Sequence, residues 1–338
     1  FYIFTAIGYL ADVANGKVQA ARSPFRFFVF LAFFGHGPSG PIVRYDQQLP
    51  YLDAKAAERQ VSLDRFCYGI KRLVLGLAKK ALIADQLALI YARVTSVPAA
   101  TLPAPALVLG YLAYMMQLYF DFSGYSDMAI GIGSFFGLEL PENFDYPYLA
   151  RSIGEYWRRW HISLSGWFRD YVYIPLGGSR CSLAKNCRNL VIVFLLTGLW
   201  HGAAWQYVAF GLLHGVLLCA ERLGLRTLLD RAPRLLAHLY TVGVLWFTLI
   251  IFGAHGLAEG LATWKGILTW QSGARGYTLA AFADTKLLLL LAASLLLCGP
   301  VQAWFPRLKK ALYAKTTPGP AGMAGLLVLL FFSLMRVT

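Results

Sequence analysis

The 338-residue sequence predicts an all-α polytopic membrane protein. Hydrophobic residues make up 58% of the chain and charged residues 14%, against about 25% charged in an ordinary soluble domain. Mean hydropathy is +0.54. The apolar residues fall in charge-free runs at 94–120, 189–220, 235–258, 287–306 and 316–335, and about 20 such residues of helix cross a bilayer core. These features exclude an ordinary cytosolic enzyme and a disordered or nucleic-acid-binding tail.

The net charge of +14 sits between the apolar runs, where Lys/Arg excess marks cytoplasmic loops and attracts anionic lipid headgroups. The five cysteines, at 67, 181, 187, 219 and 298, form no CxxC. They read as small apolar fillers rather than a disulfide or zinc framework.

Residues 1–11 are apolar but too short to cross. The stretch 25–43 contains Gly35, Gly37, Pro38, Gly40 and Pro41 and reads as a broken or re-entrant segment, because Pro removes donors and Gly invites bends. Such backbone survives at membrane depth only when enclosed by protein or lining a cavity. Residues 66–91 are apolar-periodic, predicting an amphipathic helix with Lys71, Arg72, Lys79 and Lys80 on its wet side.

Between 139 and 188, the residues Trp157, Trp160, His161, Leu164, Trp167, Phe168 and Tyr171 recur at steps of three and four. Arg158, Arg159 and Arg169 fall largely off that stripe, the pattern of a helix lying in the interface plane. "IPLGGSR" at 174–180 ends it as a turn. The run 189–220 is 32 residues long, which predicts either one tilted helix or a pair bent near His201. Positive-inside reasoning places 222–234 and 307–315 in the cytoplasm and 259–286 outside. A turn within 189–220 brings 139–188 to the cytoplasmic side as well.

Candidate chemistry begins with polar groups in apolar surroundings. His201, in "GLWHGAAW", has glycines on both sides and no charged residue between 189 and 220. A packing role and a reactive one weigh evenly there, whereas His214 reads as a packing residue. His161 lies in an aromatic-basic stripe that is itself explained as an interface anchor. Asp121 and Asp127, six apart, fall on different helical faces unless Gly124 bends the chain. They suit either an ion site in a transporter or hydrogen bonds that hold helices in register. The sequence contains no HExxH, GxSxG, Walker loop or GxGxxG after a strand. A neutral imidazole without a carboxylate or metal companion suits general-base removal of a hydroxyl proton.

The block "YFDFSGYSDMAIGIGSFFGLELPENFDYPYLARSIGEYWRRWHISLSGWFRDYVYIPLGGSR" at 119–180, "LTGLWHGAAWQYVAFGLLHG" at 196–215 and "SGPIVRYDQQLP" at 39–50 carry a resemblance. They resemble the membrane-bound O-acyltransferases (MBOAT), in the bacterial branch of alginate O-acetylation and teichoic-acid D-alanylation proteins. The resemblance runs from about residue 1 to about residue 255; the remainder is similar in hydropathy alone. It implies a ring of transmembrane helices around a thin central funnel, with re-entrant and interfacial helices. It also implies a single membrane-embedded domain over 1–338 that lacks the N-terminal helices of its relatives.

His201 corresponds to the family's catalytic histidine and His161 to its second characteristic histidine. His36 stands where an apolar or amide residue is expected and is assigned no role. The implied activity is transfer of an acetyl group from a cytoplasmic acyl thioester such as acetyl-CoA, with no bound cofactor or metal. Periplasmic acetyltransferase partners would finish O-acetylation of a polysaccharide such as alginate, and the location would be the bacterial inner membrane. Peptidoglycan O-acetylation or D-alanyl transfer would use the same chemistry. Asp121, Asp127, Trp200, Arg158 and Arg159 are the candidate substrate-binding residues, the arginines steering an anionic donor or anchoring to headgroups. A transporter built on Asp121 and Asp127, or a secretion scaffold without chemistry, are the readings from other classes.

Overall fold

The computed structural model describes residues 2–33, 40–53, 61–274 and 276–337. Helices account for the regular structure among them, with one isolated antiparallel bridge, Phe144 to Trp160. The chain opens with α1 (Tyr2–Ala14), α2 (Pro24–Leu31) and α3 (Tyr45–Asp53). Within the stretch 25–43, α2 stops at Leu31. Residues 34–39, with His36 and most of the glycines and prolines on which the expected break rests, lie outside the described residues, and beyond them Ile42 and Val43 are buried in non-helical chain.

α4 (Leu63–Ala78) starts at Ser62, whose hydroxyl accepts from the Arg65 N–H, a side-chain cap for an otherwise orphaned donor. A π-helical turn, Lys79–Ala84, joins it to α5 (Asp85–Thr95). The antiparallel partner is α6 (Ala104–Phe135), 32 residues in one piece. Two glycine pairs bring these backbones together. A Cβ at Gly131 would stand 2.6 Å from the Gly69 carbonyl oxygen, and one at Gly124 2.7 Å from that of Gly76. Small residues permit this approach in membrane helices, where packing replaces the missing hydrophobic drive.

Between the two glycine contacts, Arg72 of α4 and Asp127 of α6 form a buried ion pair. Lys79 joins Asp127 at 2.6 Å, and the Glu142 carboxylate accepts from Arg72 Nη2 at 2.9 Å. The expected wet face is therefore an inner one. Lys71 and Arg72 are buried, Lys79 is half-buried, and Lys80 reaches the surface. Lys71 Nζ donates to the carbonyls of Ala311, Ala314 and Thr316. Helical periodicity marks a basic face, but only the tertiary partners show that this face turns inward.

After α6 come two short helices, α7 (Ile153–Arg159) and α8 (Ile162–Phe168). They replace the interfacial helix that the stripe at 157–171 predicts. The stripe breaks at Trp160, which pairs with Phe144, and its Trp160, Leu164, Trp167 and Phe168 are buried in the core. The turn at 174–180 follows as expected.

α9 (Leu183–His201) and α10 (Trp205–Ala220) form an antiparallel hairpin that resolves the run at 189–220 into a pair. Gly198 abuts the Tyr207 carbonyl, Gly211 that of Phe194, and a Cβ at Gly215 would lie 3.1 Å from Val191 Cα. α11 (Arg226–Arg231), α12 (Arg234–Gly253) and α13 (Leu257–Leu268) follow.

Two of the predicted spans differ from the structure. The run 94–120 is divided by a turn before α6, and Asp121 lies inside that unbroken helix. The run 287–306 is divided into α14 (Thr285–Leu297) and α15 (Pro300–Trp304). Gly299 and Pro300 interrupt it. α16 (Pro306–Tyr313) and α17 (Pro320–Val337) complete the described chain. Among the described residues, four helical segments are long and apolar enough to cross a membrane: Leu183–His201, Trp205–Arg231, Arg234–Gly253 and Pro320–Val337.

Basic connections gather on one face. Lys309 meets Asp145 at 3.3 Å, and the Glu221 carboxylate accepts from the N–H groups of Ile153 and Gly154. At the other end, Glu259 accepts from the Ala99 N–H and Gln271 Nε2 donates to the Ala99 carbonyl. This sorting matches the separation of 259–286 from the more basic loops.

Gly131→Val forces a side chain against backbone atoms of Gly69 and Leu73 and should destabilise the protein by about 1–3 kcal/mol or more. Gly243→Ala has open space around its Cβ and should match or exceed wild-type stability. Thermal unfolding in detergent compares the two.

Candidate active site

The site is built around a loop whose main chain is stapled. The Phe144–Trp160 bridge is flanked by hydrogen bonds from the Asp145 N–H to the Arg159 carbonyl, 3.0 Å, and from the Ile162 N–H to the Asn143 carbonyl, 3.0 Å. Between them His161 adopts φ +44°, left-handed backbone in which non-glycine residues are uncommon. This kink ends α7 and starts α8, and it turns the imidazole into the core, where His161 is 2% exposed.

His161 Nδ1 lies 3.1 Å from Asn143 Oδ1. The same oxygen accepts from the Ser163 N–H at 3.1 Å and from the Ser163 hydroxyl at 2.9 Å, and that hydroxyl accepts from the Ile42 N–H at 3.0 Å. Phe122 meets the His161 ring edge-on at 4.7 Å. Burial, and secondarily the imidazole of His201, lowers the His161 pKa to about 3. The ring is therefore neutral at physiological pH.

Trp200 links the two histidines. Its ring centroid is 6.2 Å from that of His161 and 4.6 Å from that of His201. His201 closes α9 and is exposed, with Phe252 edge-on at 4.9 Å and Tyr207 at 6.2 Å. Gly202 leaves the space that Tyr207 occupies: a Cβ there would lie 2.8 Å from the tyrosine ring. Phe4 of α1 reaches the same place, 5.8 Å from Trp200. His214 is fully buried, accepting at Nδ1 from Trp157 Nε1 at 3.1 Å and standing 3.1 Å from the Thr248 hydroxyl at Nε2. It packs the hairpin against α7 and α12.

Two cavities adjoin this loop. One, about 270 Å³, is lined by Arg72, Lys79, Asp127, Asn143, Lys309 and Tyr313 among others. The second, about 590 Å³, is lined by Arg44, Arg158, Arg169, Ile162 and Ser163 among others. Glu142 lines both. Asn143 and Ser163, which hold His161, thus separate it from the two spaces.

The remaining candidates divide. Asp127 lines the smaller cavity but is committed to Arg72 and Lys79, while Asp121 forms an outer pair with Lys80 at 2.7 Å. α6 runs straight through Gly124, so the bend that would join the two aspartates in a transporter-type ion site is not formed. Arg158 is exposed and faces the larger cavity, whereas Arg159 is paired with Glu155 at 2.9 Å and Asp145 at 3.4 Å. Sequence reasoning missed Asn143, Ser163 and Glu142, and put Arg72 and Lys79 on a wet face. The seven-residue spacing of glycines at 69 and 76 and again at 124 and 131 was the available sign of the close crossing. No group of three or more His, Cys, Asp or Glu suited to a metal occurs among the described residues.

The two aspartates should respond differently. Asp127→Asn leaves buried cations short of a partner and should cost about 3–5 kcal/mol of stability. Asp121→Asn removes an exposed pair worth about 0–1 kcal/mol. Denaturation of the purified variants separates them.

Residues 19–259 match the MBOAT, membrane-bound O-acyltransferase family. The chain is 45% identical over 234 residues to a probable alginate O-acetylase of Azotobacter vinelandii, covering 69% of this chain and 45% of that protein. It is 40% identical over 249 residues to a peptidoglycan O-acetyltransferase of Helicobacter pylori, covering 72% of this chain and 46% of that protein. It is 31% identical over 229 residues to a teichoic acid D-alanyltransferase of Bacillus subtilis, covering 64% and 56%. The chain thus spans about half the length of the curated relatives it matches.

Proposed function

Because the chain belongs to the membrane-bound O-acyltransferase family, we propose that it carries the acyl-transfer centre of a multi-pass O-acyltransferase of the bacterial inner membrane. The reaction moves an acetyl group from a cytoplasmic thioester, acetyl-CoA or another acyl thioester, for O-acetylation of an extracellular polysaccharide such as alginate. The observation that carries this reading is the convergence of His161 and His201 on Trp200. Acetyl rather than D-alanyl transfer is favoured by relatives: identity is 45% to the Azotobacter alginate O-acetylase and 31% to the Bacillus D-alanyltransferase. The Helicobacter relative supports peptidoglycan as a second acceptor.

In the proposed step, the acceptor oxygen bonds to the thioester carbonyl carbon while the His201 imidazole takes the hydroxyl proton. The tetrahedral intermediate collapses, the C–S bond breaks, and the proton returns from the imidazolium to the departing thiolate. The exposed ring of His201 allows such an approach, with Trp200 and Phe252 flanking it. His161 orients a substrate group or hydrogen-bonds the developing oxyanion. Arg158 supplies positive charge for an anionic donor at the larger cavity, where Arg44 and Arg169 are paired with Asp170. Periplasmic acetyltransferase partners receive the acyl group and complete transfer to the glycan. The basic face is cytoplasmic in this reading.

In the full-length protein, His201→Ala should abolish extracellular acetylation with membrane insertion unchanged, and His161→Asn should lower turnover by roughly 10²-fold or more. Acetyl release from the polymer and reconstitution with labelled acetyl-CoA measure both. Normal acetyl content in the His201 variant removes that residue from the mechanism.

A further inference from the structure

We infer that Asn143 is a positioning residue that holds His161 as its Nδ1–H tautomer, so that His161 meets substrate through Nε2 as a hydrogen-bond acceptor. This rests on the placement of His161 in the acyl-transfer site. Two backbone donors around Asn143 have a fixed direction. The Ser163 backbone N–H can only donate, so the Asn143 side-chain atom it reaches at 3.1 Å is the amide oxygen. The Ile42 N–H can only donate to the Ser163 hydroxyl, which leaves that hydroxyl free to donate in turn to the same oxygen at 2.9 Å. On the other side of the amide, Nδ2 donates to Ser126 Oγ at 3.3 Å. These contacts remove the usual ambiguity between amide oxygen and nitrogen.

An oxygen that receives these donors has no proton to give. The His161 nitrogen 3.1 Å from it must therefore carry the hydrogen. In the neutral ring, Nε2 then bears a lone pair and no proton. A ring in that state cannot donate to an oxyanion, which decides between the two roles open to His161. It accepts from an O–H, aligning the acceptor hydroxyl while His201 takes the proton. Asn143 is well suited to the task. It is fully buried, its carbonyl binds the Ile162 N–H, and its side chain grips the residues on both sides of Ile162. The main chain and the tautomer are set by one residue.

The test is solid-state NMR of the full-length protein in lipid with ¹⁵N-labelled histidine, the His161 signal being assigned by its loss in His161→Asn. A protonated Nδ1 and bare Nε2 are expected in the wild type; the reverse tautomer overturns the inference, whatever the activity. Asn143→Leu should mix the tautomers and lower kcat by roughly 10²-fold or more. Asn143→Asp, whose carboxylate accepts the same bonds, should keep the tautomer and recover most of the turnover. An Asn143→Leu protein with unchanged spectrum and turnover overturns the assignment, and the wild-type and Asn143→Asp spectra decide it should the leucine variant not fold. If His161→Asn retains full turnover, the role toward substrate fails while the tautomer measurement stands separately.

Discussion

The buried pairing of Arg72 with Asp127 is the constraint on which the rest of the architecture depends. A guanidinium 1% exposed is stable only with compensating charge and hydrogen bonds, and two close glycine contacts bracket it at 69/131 and 76/124. The demand for full compensation reaches beyond α4 and α6. Arg72 also binds Glu142, and that tie anchors the segment leading to Asn143 and the Phe144 bridge. A charge buried between two helices thus fixes a loop that belongs to neither, and the loop fixes His161.

How much was legible beforehand depended on whether a feature is local. Composition gave the membrane class, and the run at 189–220 left one tilted helix and a bent pair equally open, of which α9 and α10 form the pair. The turn at 174–180 was equally plain. The aromatic stripe at 157–171 misled because its period is helical while its geometry is broken by a bridge to Phe144, a residue with no local sequence cue. The basic residues of α4 misled for a related reason: periodicity reports that Lys71 and Arg72 share a face, not that Asp127, Glu142 and the carbonyls of Ala311, Ala314 and Thr316 await them. His201 and His161 stood out as polar groups in apolar surroundings, and the family resemblance supplied their roles. Asn143 has no such mark, since a buried amide is recognised by its partners.

The helices divide the labour between span and site. α6 and α12 run from the face of basic loops to the face where Ala99, Glu259 and Gln271 are joined. The α9–α10 hairpin instead turns at residues 202–204 and leaves His201 at its tip. His214 serves this hairpin as a mortised joint, with both ring nitrogens engaged by Trp157 and Thr248. Two histidines thirteen residues apart on one sequence run therefore do opposite work, one closed within packing and one open at the end.

The left-handed main chain at position 161 has a consequence for any comparison of side chains there. β-Branched residues resist this conformation, whereas asparagine and glycine accept it readily. A valine or threonine would refold the corner before revealing anything about reactivity. Substitutions at that site are informative about chemistry only when drawn from the small alphabet that the corner's handedness already admits.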